Sequence, residues 1–470
     1  MRVHRRGVSM NELVNGTKVF LIGIGGIGMS ALAVILKARG FDVLGSDRAD
    51  STVILNLRKL GINVALCHES ANITPDIRTV VYTNAVSEDN PELIKAREIG
   101  ASVYERAAML DLLSGPKLAI GVSGTHGKTT TTSMVAKIFL AAGLDPTLAV
   151  GGHIDQIGGS GYEGDGKFFV YEACEAYGSF LKLHPAIAVI TNIDSDHLDY
   201  YTNIGNIKKA FLKYIQENIP AFGTIVYNRD DANLRSVVEG AKLHNTVSVG
   251  IRHRADFTAS KIRLNEFSSS FVVKKHGAFY GNFFLNVPGM HNVTNALLAI
   301  SCSAVNGISC EVMQNTLKNF KNADRRFQLK FNNGKLMVID DYAHHPSEID
   351  ATLNAAKNLS EKSHARLIAV FQPHLYSRTQ SLYKEFARSL SRADSIVLTE
   401  IYAAREKNDG CISTKLIYDE IVRIKGKENV ALTSELKDIP EMVRSFFHGK
   451  NIVITLGAGD VWKVSDMFCV

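Results

Sequence analysis

The chain is poor in the residues that build cross-linked or membrane-bound proteins. Its six cysteines in 470 residues (Cys67, Cys174, Cys302, Cys310, Cys411 and Cys469) are scattered and form no C-x-x-C pair. That excludes a zinc ribbon or a dithiol motif and points to a reducing, cytoplasmic setting. No apolar run is long enough to cross a bilayer. The opening "MRVHRRGVSMNELVNG" is basic but leads into no apolar core, so a secretory leader is not expected. Met10 offers an alternative start that would leave residues 1 to 9 as a tail. The net charge of +6 is spread along the chain, and no basic stretch is interleaved with aromatics. Neither nucleic acid nor a membrane is therefore an expected partner. Internal repeats and low-complexity tracts are also missing.

What is present is alternation. "TKVFLIGIGGIGMSALAVILKARGFDVLGSD" reads as a strand at 19–22, a glycine turn, a helix near 29–37 and a second strand ending at Asp47, a βαβ unit. The runs "LAIGVSG", "KFFVYEAC", "AIAVITNID" and "GTIVYNRDD" are almost continuously apolar, as buried parallel strands are. Residues 256–285 alternate instead and read as antiparallel. After "NADRRFQLK" the strand–helix alternation resumes to "NIVITLGAGD". The expected fold is α/β in three domains. These are a Rossmann-like parallel sheet at 1–117, a central P-loop ATPase-like domain with an antiparallel addition at 118–325, and a second Rossmann-like domain at 326–470.

Several motifs sit where such folds bind ligands. "GIGGIG" (23–28) fits G-x-G-x-x-G between a strand and a helix. Glycines let the backbone turn and approach a diphosphate, and the helix N-terminus favours the anion. Asp47 ends the second strand, where a ribose hydroxyl would be held. The plain alternative is a turn without ligand, and a ligand there could be NAD or any diphosphate sugar nucleotide. "GVSGTHGKTTTTS" (121–133) departs from the P-loop template, with Val122 where the outer glycine belongs. Its loop still offers backbone N–H groups to cradle phosphates, Lys128 to neutralise them and Thr129 to meet Mg²⁺. A chance glycine cluster is the competing reading.

"VYEACEAYGSFLKLHP" sets Glu172 and Glu175 after a strand, and "ITNIDSDHLDYY" sets Asp194, Asp196, His197 and Asp199 after the next. Carboxylates at the C-terminal ends of parallel strands beside a P-loop suit Mg²⁺, although either cluster alone reads as a solvated turn. "DDYAHHPSE" and "FQPHLYSRT" bring His344, His345, His374 and Arg378 to one edge of the last sheet. No ligand spacing supports zinc there, and Arg378 is the better candidate, as a fork for carboxylate or phosphate.

Together these motifs, with "PGMHNVTNALLAI", "RRF", "IYAARE" and "GAGD", resemble the Mur ligases in order and spacing from about Lys18 to Trp462. The short loop G-x-x-G-K-T is that family's own, so the missing outer glycine is expected there. The chain is most similar to members that add L-alanine to the lactyl carboxylate of UDP-N-acetylmuramate, using ATP and Mg²⁺. The resemblance implies that Gly25, Gly26, Ile27, Gly28, Asp47, Thr83 and Asn84 bind the uridine diphosphate end. Gly124, Thr125, His126, Gly127, Lys128, Thr129 and Thr130 would bind ATP phosphates. Thr129, Glu172 and His197 would hold Mg²⁺, and His291, Asn292 and Asn295 would meet adenine. Arg326 and Asp341 would reach the ATP phosphates or ribose, and His344, His374 and Arg378 the muramyl lactate or alanine.

The base that deprotonates the amine would be Glu175 or His344. A monomer or homodimer is expected. "EACEAYGSFL" departs from the family's commoner E-A-D-E-S-D-x-S-F-L, with Cys174, Ala176 and Tyr177 in place of acidic or hydroxyl residues. The carboxylated lysine of some relatives is not expected in "IKKAFLKYIQ". A related ligase adding a recycled peptide, a nicotinamide-dependent dehydrogenase and a nucleotide-switch binding protein are the rival readings.

Overall fold

Three sheets organise the computed structural model, which describes residues 16–241, 245–404, 406 and 410–469. The alternative start at Met10 and Arg405 of "IYAARE" lie outside the described residues. The first sheet has five parallel strands in the order Asn63–Ala65, Asp42–Ser46, Lys18–Ile22, Ile77–Tyr82, Ser102–Glu105. The order reverses between Lys18–Ile22 and Ile77–Tyr82. At such a switch point the loops after neighbouring strands part and leave a crevice. The glycine turn, Asp47 and Thr83 all follow strands at this edge.

The second sheet has ten strands. Leu118–Ser123 lies between Phe168–Glu172 and Ile187–Ile190, all parallel. This neighbourhood gathers the P-loop, Glu172 and Glu175, and the 191–197 loop at one edge, although they are far apart in sequence. The outer strands Phe257–Leu264, Ser269–Lys275 and Ala278–Leu285 alternate buried and more open positions, as the sequence pattern predicts. The third sheet runs Gln328–Asn332, Leu336–Asp341, Lys450–Leu456, Ala365–Phe371, Ser395–Thr399, Val430–Thr433, with only the first pair antiparallel. It gathers the loops after 341, 371, 399 and 456 at one edge. The Val, Ile and Leu side chains of its central strands are buried on both faces, which is why those strands read as unbroken apolar runs.

The chain forms two compact units. One comprises Met1–Thr258, Val273–Gly281 and Asn295–Leu317; the other comprises Ala259–Val272, Asn282–Thr294 and Lys318–Val470. In the first, a helix of the N-terminal sheet packs on the central sheet. The helix Ile27–Ala38, buried along Met29, Leu32, Ile35 and Leu36, lies against the strands Thr147–Ile154 and Gly159–Tyr162. Gly161 permits the approach: a Cβ there would come within 2.5 Å of the Ala31 carbonyl oxygen. Arg39 and Glu163 close the same seam with a 3.1 Å ion pair.

Gly161→Val is expected to wedge this seam open and lower stability by about 1–3 kcal/mol, the usual cost of overpacking. Urea denaturation followed by circular dichroism measures it, and an unchanged midpoint would show that the helix can move aside freely.

Candidate active site

Lys128 opens the helix Lys128–Ala141 after the loop 124–127. Its Nζ donates to the carbonyls of Gly124 at 2.7 Å and Thr125 at 2.9 Å, and lies 2.8 Å from Glu175 Oε2. Burial opposes its charge. The fields of Glu175 and Glu172 outweigh burial, so its pKa is raised and it stays charged. Two glycines suffice for this loop because each is forced. Gly124 has φ of +126° and no room for a Cβ, which would lie 2.1 Å from Thr191 Oγ1. Gly127 has φ of +80°, and a Cβ there would lie 2.6 Å from Asn295 Oδ1. Val122 belongs to the strand Leu118–Ser123, where no glycine is required.

The rest of the loop is tied to the next strand. The His126 N–H donates to Asn192 Oδ1 at 2.9 Å, and its Nε2 lies 3.0 Å from Asp194 Oδ2. Thr125 Oγ1 accepts the Asp194 N–H at 2.9 Å. Thr130 is buried in the first helical turn. Thr129 Oγ1 donates to Glu172 Oε2 at 2.7 Å, so two of the three expected metal ligands meet. The third, His197, has Nε2 3.7 Å from Glu175 Oε1 and 3.9 Å from Asp196 Oδ2. It stands on the Lys128–Glu175 side of the cluster. Cys174 is pushed up to about 11 by burial and then by Glu175, so it is a neutral thiol near pH 7.

The glycine turn lines a cavity of about 670 Å³ that reaches Glu172 and Cys174. Gly25, Gly26, Ile27, Gly28, Asp47 and Thr83 all line it. Asp47 already serves the loop, its Oδ2 accepting the Gly25 N–H at 2.8 Å and its Oδ1 the Arg48 N–H at 2.7 Å. Asn84 turns to the central domain instead, donating from Nδ2 to Ser179 Oγ at 3.2 Å.

In the second unit, His344 and His374 meet edge to face, with ring centroids 5.7 Å apart. Nδ1 of His344 lies 3.0 Å from the Tyr342 carbonyl and 3.3 Å from Glu348 Oε2. Arg378 is almost buried and places Nη1 3.3 Å from His374 Nδ1. Tyr402 stacks on His374, with ring centroids 5.9 Å apart. Arg326 lies over the Tyr342 ring at 5.3 Å and 3.8 Å from Glu348 Oε1. Asp341 accepts the N–H groups of Phe327 at 2.7 Å and Ala343 at 2.8 Å. Burial raises its pKa to about 6 against the opposing field of Arg326.

The helix Met290–Val305 carries His291, Asn292 and Asn295. His291 is exposed at the start of this helix. Asn292 Nδ2 donates to the Pro288 carbonyl at 2.7 Å. Glu348 and Tyr402 were not singled out in the sequence. Glu348 carried a signal, lying four residues after His344, and Tyr402 lay within "IYAARE", a motif to which no role was attached. Arg325, beside the expected Arg326, holds the sheet edge through Asp340 Oδ2 at 3.1 Å and the Gly457 carbonyl at 2.5 Å.

Asp341 carries a pH prediction. Its folded pKa of about 6 lies above the unfolded value near 3.8. Its contribution is therefore fully present below about pH 4 and lost as pH rises through 6. Against Asp341→Asn, the wild-type chain should lose up to about 3 kcal/mol of relative stability between pH 4 and 7. The single tryptophan, Trp462, lies in the same unit and reports its unfolding by fluorescence. A difference that does not vary with pH would reject the raised pKa.

Three family models match in chain order. They are "Mur ligase family, catalytic domain" over 18–117, "Mur ligase middle domain" over 122–303 and "Mur ligase, glutamate ligase domain" over 325–459. Among curated proteins, the UDP-N-acetylmuramate--L-alanine ligase of Clostridium acetobutylicum is 46% identical over 453 residues, 96% of this chain and 97% of its own. The protein of that name from Caldanaerobacter subterraneus subsp. tengcongensis is 43% identical over 459 residues, 97% of this chain and 98% of its own. Among solved structures, the UDP-N-acetylmuramate-alanine ligase MurC of Thermotoga maritima superposes with a TM-score of 0.81 at 30% identity, covering 96% of this chain and 98% of that one. With three of its family models matched in chain order and relatives matched over nearly their whole length, the chain belongs to the Mur ligase family.

Proposed function

We propose that this chain joins L-alanine to the lactyl carboxylate of UDP-N-acetylmuramate, converting ATP to ADP and phosphate and forming UDP-N-acetylmuramoyl-L-alanine. The observation that carries this reading is the cavity shared by the glycine turn and the phosphate-site residues Glu172 and Cys174. A nucleotide sugar anchored at the turn has its sugar end directed at the place where phosphoryl transfer occurs. A dehydrogenase would leave Lys128 and its carboxylates without a task.

A carboxylate is a poor acyl donor, and phosphorylation makes it an acyl phosphate with phosphate as leaving group. Lys128, kept charged, offsets the charge that develops on the transferred group. The Thr129–Glu172 pair fits Mg²⁺, since both donors are oxygen. Gly151 keeps space beside them, for a Cβ there would sit 2.2 Å from Glu172 Oε2 and 3.0 Å from Thr129 Oγ1. His197 is the proposed third ligand. Bound there, Mg²⁺ would polarise the γ-phosphoryl oxygens.

For the base, the surroundings favour His344 over Glu175. Glu175 is engaged by Lys128, whereas a proton on His344 Nδ1 facing the Tyr342 carbonyl puts the lone pair on Nε2. Arg378, steadied by His374, would fork the alanine carboxylate or the lactyl group. Arg326 and Asp341 would serve the ATP phosphates or ribose, and His291, Asn292 and Asn295 the adenine. The division near 117 and 325 then separates nucleotide-sugar, ATP and amino-acid domains. Such chemistry belongs in the cytoplasm, where ATP and nucleotide sugars are made. No helix among the described residues is long and apolar enough to cross a membrane.

Phosphate release with ATP and Mg²⁺ tests the reading when UDP-N-acetylmuramate and L-alanine are added singly and together. Release that requires both is expected; release indifferent to either would reject it, and release only with a peptide would move the chain to the peptide-adding ligases. Lys128→Ala should lower kcat at least about a thousandfold with the fold intact. Arg378→Ala should raise KM for alanine or UDP-N-acetylmuramate about tenfold or more, with KM for ATP unchanged. A change confined to ATP would relocate that arginine.

A further inference from the structure

Arg106 is absent from the sequence-derived site, and its surroundings give it a role. It opens the helix Arg106–Ser114, directly after the last strand of the first sheet. The neighbouring Glu105 is taken by Lys182 and by Ser179 Oγ at 3.3 Å. Among the described residues, Arg106 makes no ion pair of its own. Its side chain lies against the glycine turn: a Cβ on Gly28 would sit 3.2 Å from both Arg106 Cδ and Nη1. The last glycine of the turn therefore admits a guanidinium as well as a helix start. Arg106, Gly28 and Cys174 all line the same cavity. Asp47, Arg48 and Ser51 also line it, from the end of the second strand, where the nucleoside of a dinucleotide lies in such folds.

Resting on the nucleotide-sugar reading above, we propose that Arg106 binds the β-phosphoryl group of the substrate, beside Gly28 and on the sugar side of the turn. A planar guanidinium meets two phosphoryl oxygens at once, which fixes direction as well as charge. The turn's backbone N–H groups would then hold the diphosphate from one side and Arg106 would set where the sugar leaves it. Arg106 is a substrate-binding residue on this account, with no part in moving protons.

Calorimetric titration of the full chain with UDP and with UMP tests this, because UMP lacks the β-phosphate. Wild-type protein should bind UDP more tightly than UMP. Arg106→Ala should weaken UDP about tenfold and leave UMP unchanged, the latter also showing that the fold survives. Arg106→Lys should fall between, keeping charge but losing the fork. Equal losses for UDP and UMP, or no loss for either, would overturn the assignment. Wild-type protein that binds neither UDP nor UDP-N-acetylmuramate would instead overturn the nucleotide-sugar reading, and this inference with it.

Discussion

The site depends on keeping one buried ammonium charged. Lys128 sits in a pocket whose burial opposes its charge, so a lysine there holds its proton more firmly when it is paired. Glu175 is that partner at 2.8 Å, and two loop carbonyls take the remaining protons of the ammonium. Glu175 is in turn held by its backbone: its carbonyl accepts from Tyr201 Oη at 2.6 Å and from the Gly178 N–H at 3.0 Å. Tyr177 and His197 both take left-handed backbone near φ +54° and +52° around it. Such conformations cost free energy in a non-glycine residue and persist where the surroundings over-determine them. The strain therefore clusters at the one carboxylate that fixes the lysine.

Sheet topology makes the cluster possible. The P-loop, Glu172 and His197 belong to three strands that are adjacent in space, although the intervening segments are long. The same logic gathers His344, His374, Tyr402 and Gly457 at the edge of the third sheet. Short parallel strands buried on both faces are rigid platforms, and the loops at their ends carry the variable chemistry.

Much of this was legible in the sequence because its signals are local. A strand followed by glycines and a helix, or by a lysine and threonines, is a contiguous pattern with a physical meaning, and Gly25–Gly28, Lys128 and Thr129 stand where that pattern put them. Carboxylates after strands were legible as candidates but not as partners. Nothing in the order of residues says that Glu172 meets Thr129 while Glu175 takes Lys128, since that pairing is made in three dimensions, where Gly151 leaves room beside Glu172 and Thr129. Asn84 and Asp47 teach the same lesson, one turning to Ser179 and the other supporting the turn itself. Arg106 was invisible because no motif marks it, and only the packing of its helix against Gly28 brings it to the cavity. The seam between the first two sheets was hidden for the same reason, since Gly161 reads as loop glycine until a helix lies on it.

The departures at Cys174, Ala176 and Tyr177 acquire a consistent meaning from these contacts. A thiol whose pKa is pushed up to about 11 adds no charge beside Glu172 and Glu175. Tyr177 packs edge-on to Tyr200 at 5.7 Å and lies 6.5 Å from the His197 ring, so an aromatic contact stands where an acid is common. Each further carboxylate here would repel an incoming triphosphate and compete for Lys128. With two carboxylates kept, one paired with the lysine and one with Thr129, the negative charge in this corner matches the tasks assigned to it. The replaced acids are thus dispensable for holding the lysine, and their loss trades electrostatic support for packing around His197.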